Sequence, residues 1–289
     1  MRNNLGKAGT LYVVATPIGN LEDFSARGVR ILSSVSVIAA EDTRRTRKLL
    51  HRYTLDTPLV AYHDHTKSAQ RERLLRRLEL GEDIALVTDA GTPLISDPGY
   101  RLVDAAHVAG VRVVPIPGAN AALAALSVAG LPSDRFVFEG FLPAKESARR
   151  RRLRELKTEV RTLLFYESVH RIQDTLADLA EVFGTEREAV LARELTKEFE
   201  TVLRGTLGAL VDRLSRDSDQ RRGEFVILVK GDSGPPPAVP LEPEKVAGLL
   251  AEVLPISRAA EIAARITGTK RNVLYRQLLE SRPGDSDGD

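Results

Sequence analysis

Short apolar runs alternate along this chain with stretches that have the spacing of amphipathic helices. In the first part of the chain the apolar runs cover residues 11–15, 35–40, 84–88 and 111–115. The helical patterns lie at residues 24–32, 43–52, 68–80 and 100–109. Strands and helices that take turns predict a parallel sheet with helices packed on it. The first part of the chain is therefore predicted to be an α/β domain.

The second part continues as α/β but with less regular connections. Strands are predicted at residues 135–139, 162–166, 189–192 and 225–229. Helices are predicted at residues 121–129, after Lys145 and at residues 169–183, whereas residues 193–206 read as an irregular polar stretch. Because not every pair of strands is joined by a helix, this sheet is predicted to be mixed.

A Pro-rich stretch then separates the α/β region from a short helical segment. Within that segment, residues 257–279 read as two helices with a tight turn at Gly268. The predicted organisation is a flexible N-terminus (1–9), an N-terminal α/β domain (10–117), a second α/β domain (118–232), a linker (233–242), a small helical domain (243–282) and an acidic disordered tail (283–289).

Composition excludes several classes of protein. The 289 residues suit two domains of roughly 100 to 200 residues each. There is no cysteine, which excludes disulfides, zinc ribbons, iron–sulfur clusters and a thiol nucleophile. No leader-like segment and no apolar run approaching about 20 residues is present. We therefore expect a soluble cytoplasmic protein with no membrane association.

Unusual polar loops follow five of the predicted strands. These loops are 16–20, 41–44, 89–98, 117–120 and 166–168. Ligands of open parallel sheets bind at the carboxyl ends of strands, where loops lead into helix N-termini. Each loop alone has another explanation, because Pro-Gly pairs form turns and an aspartate before a helix caps it. Together the five loops predict a binding pocket.

The usual nucleotide motifs are missing from these loops. No Gly-x-Gly-x-x-Gly opens the first helix, and there is no phosphate-binding Gly-Lys-Ser/Thr. The ligand should therefore not depend on a glycine-rich pyrophosphate cradle. S-adenosylmethionine meets this condition because it carries a sulfonium and no phosphate. The small residues Gly91, Ala119 and Ala121 would allow the backbone to approach it closely.

Six segments together resemble one enzyme family. They are "LYVVATPIGNLEDFSARGVRILSSVSVIAAEDTRRTRKLL", "LVTDAGTPLISDPGYRLV", "PIPGANAALAALSVAGLPSDRFVFEGFLP", "LLFYESVHRI", "ARELTKEFE" and "GEFVILV". In this order they resemble the bacterial small-subunit ribosomal RNA methyltransferases that act on a cytidine 2′-hydroxyl in the decoding centre. These enzymes belong to the tetrapyrrole-methyltransferase class.

The resemblance implies a fold, a cofactor and partners. The fold would be two α/β domains with S-adenosylmethionine in the cleft between them, followed by a small helical C-terminal domain. The substrate would be small-subunit ribosomal RNA, alone or in the small ribosomal subunit, and the protein would be a homodimer. The implied cofactor contacts are Ile18, Gly91, Thr92, Pro93, Leu94, Ile95, Ala119, Asn120, Ala121, Tyr166, Ala192 and Glu224. Asp89 and Asp97 would cap helices or face the substrate.

Methyl transfer to a sugar hydroxyl requires alignment and help for a weak nucleophile. The candidate catalytic residues are Asp42, Glu167, His170, Glu194 and Lys197, and structural ion pairs are the alternative for each. An ammonium at Lys197 could stabilise the developing alkoxide, or the amine could act as a base if burial lowers its pKa. Asp42 is the competing proton acceptor, and its alternative role is to cap the helix that follows.

Two arginine clusters are candidate contacts to RNA phosphates. One contains Arg44 and Arg45, and the other is formed by Arg149, Arg150, Arg151 and Arg152. A solvated helix face is the alternative for the second cluster. His63, Asp64 and His65 could share a metal ion, but no third anchored ligand accompanies them and methyl transfer needs no metal, so we expect none.

Three functional hypotheses remain at this point. The first is a ribosomal RNA 2′-O-methyltransferase. The second is a methyltransferase of the same class that acts on a tetrapyrrole or a protein side chain. The third is a non-catalytic RNA-binding assembly factor. The arginine clusters and the extra helical domain favour the first over the second, and the intact cofactor loops disfavour the third.

Overall fold

The structure is a computed structural model that describes residues 8–63, 68–217, 219–234 and 242–280. Several sequence-based expectations lie outside these residues. They concern most of the flexible N-terminus, Asp64 and His65 of the possible metal pair, most of the Pro-rich linker and the acidic tail.

The first sheet contains five parallel strands in the order β3-β2-β4-β1-β5. The strands are β1 (Thr10–Val14), β2 (Val37–Ala40), β3 (Leu59–Ala61), β4 (Ile84–Val87) and β5 (Arg112–Ile116). All residues of β2 and β4 are buried, which explains their continuous apolar sequence. The parallel sheet predicted for this part of the chain is confirmed. The short edge strand β3 was not predicted, because three residues carry too little pattern.

Four helices belong to this sheet. They are α1 (Ala26–Ser34), α2 (Thr43–Arg52), α3 (Ser68–Glu79) and α4 (Tyr100–Val108). Side chains define where the first two helices begin, because Ser25 caps α1 by accepting from the Gly28 N–H and Asp42 caps α2 by accepting from the Arg44 N–H. Leu74 and Leu78 of α3 are one turn apart and both buried in the core below the sheet.

The second sheet is mixed, as predicted. Its strands are β6 (Phe136–Phe141), β7 (Thr162–Glu167), β8 (Glu188–Arg193), β9 (Thr201–Thr206) and β10 (Phe225–Val229). The order is β6-β7-β10-β8-β9, with only the β6–β7 pair parallel. The helices around it are α5 (Ala121–Ala129), α6 (Glu146–Leu156), α7 (Ile172–Phe183) and α8 (Leu207–Arg216).

The prediction of an irregular connection at residues 193–206 was wrong. Residues Thr201–Thr206 form β9, which among the described strands pairs with β8 alone. Val202 is 38% exposed beside the buried Leu203, and Gly205 lies in the same strand, so apolar and polar residues do not alternate regularly in β9. Helix α8 was also missed, although Leu207, Leu210 and Leu214 recur at helical spacing and are buried.

Chain contacts divide the protein after Asp232, so both sheets belong to one unit. The second unit begins at Ser233 and contains three helices among its described residues, which are α9 (Pro243–Ala251), α10 (Ile256–Thr267) and α11 (Arg271–Glu280). Gly268 ends α10 in a left-handed conformation with a φ of 74° and so makes the predicted tight turn. The core of this unit is Ala247, Ala259, Ala260, Ala263, Leu274 and Leu278.

Candidate active site

The loops after β1 and β4 meet at the point where the first sheet reverses its strand order. The chain leaves β1 toward β2 on one side, whereas it leaves β4 toward β5 on the other. Thr16 and Gly91 join the two loops through two backbone hydrogen bonds of 2.9 and 3.0 Å. Such reversal points are the usual ligand sites of open α/β sheets.

A cavity of about 320 Å³ opens beside these two loops. This volume is within the usual range for small-molecule sites. Its walls include eight of the twelve predicted cofactor contacts, namely Ile18, Gly91, Thr92, Ile95, Asn120, Ala121, Tyr166 and Glu224. They also include nine other residues, namely Ala90, Ser96, Asp97, Phe141, Glu167, Ser168, Leu195, Phe225 and Val226. Loops of the first sheet thus share one cavity with strand ends of the second.

Four predicted contacts are not in the cavity wall, namely Pro93, Leu94, Ala119 and Ala192. Ala192 is fully buried within β8, and Leu94 packs against the core of the first sheet. Ala119 stays close, because its carbonyl accepts a hydrogen bond of 3.1 Å from the Thr92 hydroxyl. This bond ties the β4 loop to the segment that leads into α5.

The absence of a side chain at Gly91 lets a ligand come close to the backbone of the cavity wall. The Gly91 φ of 88° lies in a region that side chains with a Cβ rarely adopt. A Cβ there would lie 3.4 Å from Ile18 Cγ2 and 3.9 Å from the Ala119 carbonyl oxygen. Atoms beyond that Cβ would enter the space between these two residues and narrow the cavity.

Tyr166 places a phenol in the cavity wall. Its oxygen accepts a hydrogen bond of 3.1 Å from the Ala122 N–H in the first turn of α5. Its ring packs edge-on against Phe138 and Phe141, with centroids 5.0 and 5.6 Å away. Burial raises the pKa of Tyr166, the N–H of Ala122 partly offsets this, and the charge of Asp97 adds to the rise. The phenol therefore keeps its proton at neutral pH and can donate it in a hydrogen bond.

Lys197 lies at the edge of the cavity in an ion-pair cluster. Its Nζ is 2.9 Å from Glu194 Oε1 and 3.1 Å from Glu224 Oε2, and Glu224 lines the cavity. Burial favours the neutral amine, but the hydrogen bonds to both carboxylates outweigh it, so the pKa of Lys197 is raised. Lys197 is therefore an ammonium, and the suggested role as a base with a lowered pKa is wrong.

The stem of Lys197 packs against the β1 loop at Gly19. A Cβ on Gly19 would lie 2.4 Å from Lys197 Cγ, so no larger residue fits there without moving the lysine. The tight turn that carries Lys197 has positive φ values at Glu194 (51°) and Thr196 (66°). Such conformations cost free energy and tend to occur at functional sites. The packing holds the ammonium in one place.

Glu194 and Glu167 are engaged in structural contacts. Burial raises the pKa of Glu194, but the hydrogen bonds from Lys197 and from the Glu224 N–H together lower it by more than burial raises it. The net shift of this pKa is therefore downward. The Glu167 carboxylate is buried and accepts from the Thr175 hydroxyl (2.6 Å) and from Arg171 (3.1 Å). Both carboxylates thus already have cationic or hydrogen-bonding partners, and their roles as general bases stay predictions.

Asp42 acts as a helix cap, the alternative that the sequence left open. Its carboxylate accepts from the Arg44 N–H at 2.8 Å and pairs with the Arg44 guanidinium at 2.9 Å. These contacts, led by the guanidinium hydrogen bond, lower the pKa of Asp42 to about 2. A carboxylate with so low a pKa is a weak proton acceptor at neutral pH, which favours the capping role of Asp42 over the role of base.

The capping role of Asp42 predicts a pH dependence. A carboxylate with a lowered folded-state pKa stabilises the protein above its unfolded pKa, and this stabilisation is lost as pH falls through the folded value. We expect Asp42→Ala to unfold at lower urea concentration than the unchanged protein at pH 6, and the difference to shrink from pH 4 toward pH 2. A difference that is as large at pH 3 as at pH 6 would contradict this role.

The two aspartates of the β4 loop take different positions. Asp89 accepts from the Asp42 N–H at 3.1 Å and pairs with Arg45 at 3.2 Å, so it ties the β4 loop to the start of α2. Helix α4 follows Gly99, which makes no side-chain cap. Asp97 lines the cavity, so the substrate-facing alternative remains a prediction for this residue.

Three of the four predicted RNA-binding arginines of α6 are held by carboxylates. Arg149 is 4% exposed and its Nε is 2.6 Å from Asp178 Oδ2. Arg150 pairs with the other oxygen of Asp178, and Arg152 pairs with Glu139. A buried and paired Arg149 cannot reach a phosphate, which corrects its assignment as an RNA contact. Its partner Asp178 lies 29 residues away along the chain, so no local sequence pattern indicates the pair. Arg151 remains exposed.

The buried pair makes α6 a structural clamp, and its loss should destabilise the protein. Asp178→Ala would leave Arg149 buried without a counter-charge, so we expect a loss of about 3 to 5 kcal/mol in the free energy of unfolding. Glu181→Ala is the matched control because Glu181 pairs with Arg150 at the surface. Urea unfolding measures both variants. Equal losses in the free energy of unfolding for the two variants would show that the buried pair stabilises the protein no more than the surface pair does.

The described residues give no indication of a metal site or a membrane span. They contain no group of three or more His, Asp or Glu side chains that could hold a metal ion. No helix among them is long and apolar enough to cross a membrane.

The two sheets and the cavity between their loops define a class of enzyme. Residues 10–211 match the family model described as Tetrapyrrole (Corrin/Porphyrin) Methylases, so the chain is a methyltransferase of this class. Residues 237–282 match the model described as RsmI C-terminal HTH domain. With the relatives described next, these matches show that the chain belongs to the family of ribosomal RNA small subunit methyltransferase I.

Curated relatives are similar over almost their whole length. The ribosomal RNA small subunit methyltransferase I of Pseudomonas aeruginosa is 53% identical over 281 residues, which are 96% of this chain and 99% of that protein. The protein of the same name from Xylella fastidiosa (strain Temecula1) is 57% identical, with 92% and 98% covered. The one from Escherichia coli O157:H7 is 49% identical, with 95% and 96% covered.

Solved structures share the fold at low identity. A diphthine synthase is 15% identical with a TM-score of 0.58 and covers 77% of this chain and 90% of its own. The uroporphyrin-III C-methyltransferase from Thermus thermophilus complexed with S-adenyl homocysteine is 18% identical with a TM-score of 0.53, covering 78% and 98%. The fold predicted from the sequence is thereby confirmed.

Proposed function

We propose that this enzyme transfers a methyl group from S-adenosylmethionine to the ribose 2′-hydroxyl of a cytidine in small-subunit ribosomal RNA. The observation that carries the proposal is the similarity to ribosomal RNA small subunit methyltransferases I, which extends over 96% of the chain and includes the C-terminal helical unit. A tetrapyrrole or protein substrate does not account for that unit, because the tetrapyrrole methylase match ends at residue 211.

The cavity suits S-adenosylmethionine, which supplies an electrophilic methyl group on a sulfonium. Gly91, Thr92 and Ala121 provide small or polar wall positions where a ligand can approach the backbone, and Gly91 leaves open the space that a side chain would fill. Tyr166 and Asn120 add polar atoms to a wall that is otherwise rich in apolar side chains. The same residues are among the cofactor contacts that the resemblance implies, which supports this proposal.

The chain contributes orientation and charge to the reaction. Among the catalytic residues suggested by the sequence, Asp42, Glu167 and Glu194 are occupied by cations or hydrogen-bond donors, whereas Lys197 offers a fixed ammonium at the cavity edge. An ammonium stabilises negative charge that develops on a hydroxyl oxygen. We therefore assign charge stabilisation to Lys197 and alignment of the hydroxyl to the walls of the cavity.

The proposal includes the setting in which the enzyme works. Its partner is the small ribosomal subunit or its RNA, the enzyme acts in the cytoplasm, and two copies form a homodimer, as the resemblance implies. The exposed arginines of α2 that the sequence suggested, Arg44 and Arg45, are assigned to contacts with RNA phosphates.

Labelled methyl transfer tests this proposal. Purified enzyme is incubated with S-adenosylmethionine labelled in its methyl group and with small ribosomal subunits from cells that lack the enzyme. The RNA and protein fractions are then separated and counted. We expect the label in the RNA fraction alone. Label in the protein fraction, or none in either, would refute the proposed substrate.

A further inference from the structure

Helix α2 carries an exposed basic face that nothing in the proposed catalytic role explains. Six of its ten residues are Arg, Lys or His, and none is acidic. Arg44, Arg47, Lys48 and His51 lie at i, i+3, i+4 and i+7 and line one shallow cleft. Thr46 and Leu50 on the other side of the helix are buried. The basic residues therefore form a continuous outward face.

The charges of this face are only partly neutralised. Arg44 pairs with Asp42, yet its side chain is 86% exposed and the pair fixes the direction of its guanidinium. Among the described residues, Arg47, Lys48 and His51 form no ion pair and are exposed. Like charges one turn apart destabilise a helix, and a bound polyanion relieves that repulsion. The face is therefore suited to a chain of phosphates.

This face is tied directly to the cavity. Asp89 accepts from the N–H of Asp42, which precedes α2, and pairs with Arg45 in the first turn. Asp89 also donates its own N–H to Glu41 at 3.2 Å. The next two residues, Ala90 and Gly91, line the cavity. A polyanion bound to α2 would therefore lie next to the opening of the cavity, where the ribose 2′-hydroxyl must be presented.

We propose that the face formed by Arg44, Arg47, Lys48 and His51 of α2 binds the phosphate backbone of the RNA next to the target nucleotide. This proposal rests on the proposed function for the identity of the polyanion. It assigns the RNA surface to α2 instead of α6, where Asp178 and Glu139 hold Arg149, Arg150 and Arg152.

Two double variants that remove the same charge test the proposal. Arg47→Gln with Lys48→Gln changes the α2 face, and Arg151→Gln with Arg154→Gln changes exposed arginines of α6. We expect the α2 variant to bind small subunits at least about tenfold more weakly at physiological salt. The slope of log affinity against log salt should fall by about 1.4, which is about 0.7 for each lost phosphate contact to a single strand.

Further readouts separate this surface from the chemistry. The α2 variant should keep its affinity for S-adenosylmethionine and, at saturating subunits, its methyl-transfer rate within about twofold, because phosphate contacts position without reacting. An unchanged salt slope for the α2 variant, or an equal loss in the α6 variant, would overturn the proposal. If the α2 variant loses affinity for subunits but not for protein-free ribosomal RNA, the face binds a ribosomal protein and the RNA proposal fails.

Equilibrium binding also distinguishes this proposal from the proposed function. If the unchanged enzyme binds protein-free ribosomal RNA through α2 but transfers no methyl group to it or to subunits, the proposed function fails and the α2 surface stands. If the enzyme methylates the RNA and the α2 variant binds normally, only the surface assignment fails.

Discussion

Gly91→Val is expected to reduce affinity for S-adenosylmethionine by at least about 100-fold and to abolish methyl transfer. Two causes act together. A branched side chain is strained at a φ of 88°, and its methyl groups would enter the space between Ile18 and Ala119. Because Gly91 is bonded to Thr16 at the reversal point of the first sheet, the wall cannot move aside without breaking that bridge. Calorimetric titration with the cofactor measures the loss.

The control must carry the same backbone strain away from the cavity. Gly110 has a φ of 69°, and a Cβ there would meet nothing within 4 Å. Gly110→Val should therefore lose stability in the same way but keep its affinity for the cofactor. If both variants bind S-adenosylmethionine normally, the cavity is not the cofactor site. If both lose it equally, the effect of Gly91→Val comes from misfolding and not from the wall.

Lys197→Ala is expected to slow the chemical step by about 100-fold with both substrates saturating. This is the usual effect of removing one group that stabilises charge in a transition state. The raised pKa keeps Lys197 charged at neutral pH. Replacing Lys197 by alanine therefore also removes the cation that the carboxylates of Glu194 and Glu224 share. Single-turnover rates measure the step directly because they exclude product release.

Lys230→Ala is the matched control for this variant. Lys230 also pairs with a glutamate, Glu188, but it follows β10 at the end away from the cavity. We expect Lys230→Ala to keep the single-turnover rate. A normal rate for Lys197→Ala would remove Lys197 from the mechanism. A reduced rate that higher RNA or cofactor concentration restores would make it a binding residue.

The fold was largely predictable because its central strands are buried on both faces. Strands β2 and β4 read as unbroken apolar runs between helical patterns, and this alternation specifies a parallel sheet. The elements that were missed lie at the edges. Strand β3 has three residues, and apolar and polar residues alternate irregularly in β9, so neither carries a strong local pattern.

The cavity was predictable where topology alone brings residues together. Loops at the carboxyl ends of the first sheet's parallel strands meet at one edge, and this gathered Gly91 and Asn120 in the cavity wall. Phe141 and Phe225 were missed because an aromatic residue in a strand usually indicates core. The ion pair of Arg149 with Asp178 spans 29 residues, and no local pattern reports such a partner.

The most direct test of the central claim is nucleoside analysis of the methylated RNA. Small subunits from cells that lack the enzyme are treated with enzyme and labelled S-adenosylmethionine, and their RNA is digested to nucleosides and separated by chromatography. The account predicts that the label is found in 2′-O-methylcytidine from a single position, and that Gly91→Val yields none. Label on a base, on another nucleoside or on many positions would contradict it.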